Sequence, residues 1–181
     1  RAQLEDTLRL VAEVLREPSF PAAEFDELRR ASLTGAEAQR GDPSAIAGER
    51  LQRHLHPYPR GDWNYVETTE ERIADIEAAT LDEAKRCYTE LVGATGAQFV
   101  AVGDFDPDAL ARLVEELFGD WRNPAPYARI PARYFEVAPI DQSAQTPDKA
   151  NAVLRAGMNL PLRDDNADFP ALVLGNYLLG G

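Results

Sequence analysis

Apolar residues recur along the first half of the chain at helical spacings. Leu4, Leu8, Val11 and Leu15 lie four, three and four apart, which predicts an amphipathic helix that stops before Pro18. The turn Pro18-Ser-Phe-Pro21 leads into a second helix, whose face begins with Phe25 and Leu28 and continues through Ala31, Gly35 and Ala36. Such a thin face suits close packing. Gly41-Asp-Pro43 joins a helix-ending glycine, a capping aspartate and a first-turn proline, so a third helix carrying Ile46, Leu51 and Leu55 starts there and runs out at His56-Pro57. Residues 57–69 have no period, and Tyr58, Trp63 and Tyr65 among turn residues predict an anchored loop. Ile73 and Ile76 mark a short helical turn. Thr80-Leu-Asp-Glu83 matches a capping box, ahead of a helix that turns Leu81, Ala84, Tyr88 and Leu91 inward.

The pattern changes at Gln98. Phe99, Val100, Ala101 and Val102 form a short apolar run closed by Gly103, which predicts a buried strand. Asp106 and Pro107 then open a helix with Leu110, Leu113, Val114 and Leu117 on one face, ended by Gly119. This strand, turn and helix, Gln98 to Trp121, is expected to be a structural spine. The proline-spaced residues 122–133 cannot sustain a helix and predict an extended connection over the surface, with a domain boundary in or just after it. Beyond it, Ala152, Leu154, Ala156 and Met158 alternate, predicting a strand over Asn151 to Leu160. Asp168 and Pro170 begin a last helix carrying Leu172, Val173 and Leu179. The second strand and helix echo the first pair without sharing much residue identity.

Composition narrows the classes. Hydrophobic residues at 44% and charged residues at 28% are globular values, and a fold of 181 residues should bury about 70% of its unfolded surface. The formal charge of -12 argues against nucleic acid or an anionic membrane as partner. Cys87 is the single cysteine, which excludes an internal disulfide and a thiolate zinc cage built by this chain alone. No run reaches the ~20 apolar residues that cross a bilayer. The chain starts at Arg1 and stops at Gly181 directly after an apolar run, so it is expected to be an internal segment of a longer protein, truncated at both ends. The compartment, bacterial periplasm or cytoplasm, is left open.

Candidate chemistry is sparse. His54 and His56 are the only histidines, and on a helix they point in different directions with no third ligand at a familiar spacing. Cys87 has neither a neighbouring histidine nor a Cys-x-x-Cys partner. Asp104, Asp106 and Asp108 alternate like the start of a calcium loop, but the glycine and terminal glutamate of such a loop are missing, and capping explains them better. Gly103 sits at a strand-to-helix turn, yet no Gly-x-Gly-x-x-Gly follows and the flanking aspartates have the wrong sign for phosphate. Glu67, Glu70, Glu71, Glu115 and Glu116 read as solvated helix faces. No catalytic, cofactor-binding or metal-binding residue is assigned.

Taken in order, several stretches resemble the insulinase/pitrilysin family of zinc metallopeptidases, a group that includes mitochondrial processing peptidase-like proteins. They are Pro18-Ser-Phe-Pro, Glu24-Phe-Asp-Glu-Leu-Arg-Arg, Gly41-Asp-Pro, His56-Pro-Tyr-Pro, Thr80-Leu-Asp-Glu, Val100-Ala-Val-Gly-Asp-Phe-Asp, Phe118-Gly-Asp-Trp and Leu178-Leu-Gly-Gly. The resemblance implies an α+β fold of paired units, each an antiparallel sheet covered on one face by helices. Residues 1–124 would then be the later part of one unit, 125–138 a linker, and 139–181 the opening strand and helix of the next.

The family's zinc site is an inverted His-x-x-Glu-His motif with a third glutamate ligand further along the chain. No such motif occurs here, and aligning Phe25 and Asp42-Pro43 with the family pattern puts Gly35 at the third-ligand position, with Glu37 two residues away. The resemblance therefore implies a unit that binds no zinc itself, with zinc held elsewhere in the parent protein or by a partner. The implied role is to help form a substrate chamber for peptide or unfolded polypeptide, beside the companion half that hydrolyses the peptide bond. Two other readings stand beside it: a non-peptidase scaffold or assembly subunit of the same fold, and an unrelated helical interaction module. The last predicts almost no strand.

Overall fold

The computed structural model describes residues 3–179. It contains seven helices: α1 (Leu4–Arg16), α2 (Ala22–Gln39), α3 (Pro43–Leu55), α4 (Thr69–Ala78), α5 (Leu81–Leu91), α6 (Pro107–Phe118) and α7 (Phe169–Leu178). No residue among those described is in a strand. The expected α+β architecture, an antiparallel sheet under helices, is thereby overturned. Neither 98–103 nor 151–160 forms a backbone ladder with another segment, and most of their side chains are exposed: Val102 is 97% exposed and Leu154 90%. An alternating or apolar run specifies a strand only when a second strand supplies the hydrogen bonds and a layer covers the face. Here neither is present. In helix content the chain matches the helical alternative.

The helices start where local chemistry starts them. Asp42 caps α3 by accepting from the Ala45 amide at 2.7 Å, with Pro43 in the first turn. Thr80 and Glu83 form the full capping box of α5. Asp106 accepts from the amides of Asp108 and Ala109 at the start of α6, which is the capping role expected of it. Asp168 stands at the start of α7 without a side-chain cap bond, so the helix forms there and that cap does not.

The chain forms two compact units. The first comprises Arg1–Glu37 and Arg72–Ile130, the second Ala38–Glu71 and Pro131–Gly181. In the first unit α1 packs on α6, burying Leu8, Ala12 and Leu110. Two arginines fasten the same pair: Arg9 to Glu116 at 2.8 Å, and Arg16 to Asp120 at 2.7 Å and to the Leu117 carbonyl at 2.6 Å. In the second unit Leu55 and Tyr58 are buried. Asn159 donates there to the carbonyls of Leu55 and Phe135, tying the C-terminal end of α3 to two irregular segments.

Candidate functional site

The residues singled out for chemistry are placed as follows. Gly35 and Glu37 both lie on α2 and are exposed, and nothing lies within 4 Å of where a Gly35 side chain would begin. His54, near the end of α3, shares a 2.8 Å hydrogen bond between its Nε2 and the Ala138 carbonyl. His56 is the residue that closes α3, its amide donating to the Gln52 carbonyl. Neither histidine meets a second ligand. Among the described residues no group of three or more His, Cys, Asp or Glu side chains is placed to hold a metal ion. The donor set required by zinc, three protein ligands converging on one point, is therefore not matched by these residues. Cys87 is exposed on α5. Gly180 and Gly181, the end of the Leu-Leu-Gly-Gly stretch, lie outside the described residues.

Two clusters are better built. The first, in the second unit, surrounds Glu71. Its carboxylate accepts from the Thr68 amide at 2.9 Å and hydroxyl at 3.1 Å and from the Tyr65 hydroxyl at 2.8 Å, with Arg60 at 3.2 Å and Arg53 at 3.5 Å. Arg53 also donates to the Val66 carbonyl at 2.6 Å and lies over the Tyr65 ring. Glu49 accepts from the Thr69 amide and hydroxyl. The Thr68 hydrogen bonds, then the Tyr65 hydroxyl, hold Glu71 well below its ordinary 4.5, at about 2. Both oxygens of the Glu71 carboxylate already have donors, so the cluster anchors the aromatic loop and starts α4.

The reading of Glu67, Glu70 and Glu71 as a solvated face is corrected for Glu67 and Glu71, which are half-buried. Glu70 is exposed and pairs with Arg40 at 2.7 Å, while Glu71 is the centre of the network. The missed signal was local. Thr68-Thr-Glu-Glu71 has the same Ser/Thr-x-x-Glu form as Thr80 to Glu83, and the Glu71 amide does donate to the Thr68 hydroxyl at 3.1 Å.

The second cluster, in the first unit, is the Pro18-Ser-Phe-Pro21 turn. Phe20 has φ 45°, the one non-glycine residue with positive φ in the described chain. A bulky residue there, followed by proline, is strained by about 1–3 kcal/mol. What holds it is packing on Tyr88, edge to face with ring centroids 5.4 Å apart, while the Tyr88 hydroxyl donates to the Leu15 carbonyl at 2.6 Å. Arg16 and Trp121 border the same cleft. Two of the stretches that suggested the family, Pro18-Ser-Phe-Pro and Phe118-Gly-Asp-Trp, thus meet at α1.

In neither cluster does a serine or cysteine stand beside a histidine. Comparison with known proteins accords with that chemistry. Residues 78–181 match the family model described as the peptidase M16 inactive domain. No curated protein and no solved structure matches the chain. The matched stretch begins at the end of α4, takes in α5, α6 and α7, and covers more than half of the sequence. It excludes the reading of an unrelated helical module. The chain belongs to the peptidase M16 family, the insulinase/pitrilysin group, and is a non-catalytic segment of it.

Proposed function

We propose that this segment helps wall a peptide-holding chamber while a companion half of the peptidase, bearing the zinc and its His-x-x-Glu-His motif, cuts the substrate. The observation that carries the reading is the match of residues 78–181 to the inactive rather than the catalytic domain, joined to a Gly35 that offers no ligand. Exposed apolar surface supports a companion. Val100, Val102, Leu154, Met158 and Leu178 are each more than 70% exposed, which is costly to leave in water and is what a covering partner would relieve.

In this reading residues 1–124 belong to one unit of the family, 125–138 to a linker and 139–181 to the opening of the next. The substrates are peptides or unfolded polypeptides. Peptide hydrolysis by the zinc-bearing half, measured with and without this chain, tests the role. A rise in kcat/KM on adding the chain is expected. Stable association with no change in cleavage of any peptide would instead favour a scaffold.

A further inference from the structure

The cleft beside the Pro18-Ser-Phe-Pro21 turn has a composition that neither the family match nor the chamber reading accounts for. It encloses about 420 Å³, within the range of small-ligand sites, and its walls include Pro18, Phe20, Tyr88, Val92 and Trp121. Three cations line it, Arg16, Lys85 and Arg122, in a chain whose net charge is -12. Arg16 is engaged by Asp120. Lys85 and Arg122 form no salt bridge with the described residues, although Asp120 is close enough to Arg122 to feel its charge. The acidic groups on the cleft are Glu17, on its lining, and Asp120, held by Arg16. Phe20 keeps a strained backbone to stand against Tyr88, which shapes the aromatic wall.

We propose that this cleft binds a monocarboxylate carried on an aromatic or large apolar body, as at the C-terminal residue of a peptide. The ring lies on the Phe20, Tyr88 and Trp121 side chains, and the carboxylate takes Lys85 and Arg122 as its donors. A single negative charge suits the site, because Glu17 and Asp120 oppose a multiply charged phosphate. The site does not rest on the chamber reading, since binding to this chain is measured without any cleavage.

The test is titration of the chain with N-acetyl-L-phenylalanine in the millimolar range, followed by amide chemical shifts. N-acetyl-L-phenylalaninamide and inorganic phosphate serve as controls. The expected result is shifts at Phe20, Lys85, Tyr88 and Arg122, and binding weaker by at least about tenfold for the amide and for the Lys85→Ala/Arg122→Ala variant. Lys85→Arg should retain binding. Arg122 is exposed and Lys85 half-buried, and an unchanged helical circular dichroism spectrum confirms that the variants fold. Equal binding of acid and amide, displacement by phosphate, shifts confined to other residues, or no shift at all would each overturn the assignment.

Discussion

Glu71 carries the most strongly shifted carboxylate among the described residues. Its folded pKa, about 2, lies below the ordinary 4.5 because the Thr68 amide and then the Tyr65 hydroxyl donate to the carboxylate. A depressed carboxylate contributes stability that is present above the unfolded pKa and is lost as pH falls toward the folded one. Thermal melts should therefore lose stability between about pH 4.5 and 2. In Glu71→Gln that part of the acid limb should be flatter. An identical pH dependence in both proteins would show that the network contributes nothing to folding.

The Thr80 cap is a simpler case. Thr80→Ala removes the acceptor for the Glu83 amide and should cost about 1 kcal/mol in a denaturant titration. Gly93 is needed for another reason: a Cβ there would sit 2.8 Å from the Asn123 amide nitrogen, while the Asn123 side chain donates to the Leu91 carbonyl. Gly93→Ala should destabilise by about 1–3 kcal/mol, read from the same titration. Caps of this kind were legible in the sequence, because a cap is decided by three or four neighbouring residues. The Thr68 cap was equally legible in kind and was hidden only by a run of adjacent glutamates.

At the scale of elements, helices were readable and strands were not. The spacing of Leu4, Leu8, Val11 and Leu15 defines a helix whatever surrounds it, since a helix closes its own hydrogen bonds. Which of those residues is covered is another matter. Leu8 is buried and Val11 is 40% exposed, because α6 is the neighbour and only part of the stripe meets it. Leu8→Ala or Leu110→Ala should cost about 2–5 kcal/mol, whereas Val102→Ser, at a site 97% exposed, should change stability by under about 0.5 kcal/mol. Equal losses at all three positions would mean that the α1 and α6 pairing is not the core of its unit. A strand, by contrast, cannot satisfy its own backbone, so the runs at 98–103 and 151–160 carried a pattern with no ladder to realise it.

For the whole molecule the decisive quantity is surface. The 20.0 kDa chain exposes 14199 Å², against about 8,700 Å² for a folded monomer of that mass and about 29,000 Å² for the unfolded chain. About half of the unfolded surface is buried rather than the roughly 70% that length alone suggested. The remainder includes large apolar side chains such as Val102 and Leu154. The family could be seen in the sequence because its short stretches keep their order, and two of them proved to meet at the Phe20 turn.

That this non-catalytic M16 segment holds no zinc is tested by the zinc-to-protein ratio after dialysis against metal-free buffer. A ratio far below one is expected, unchanged in Glu37→Ala and His54→Ala. One zinc retained per chain, and lost in either variant, would contradict it.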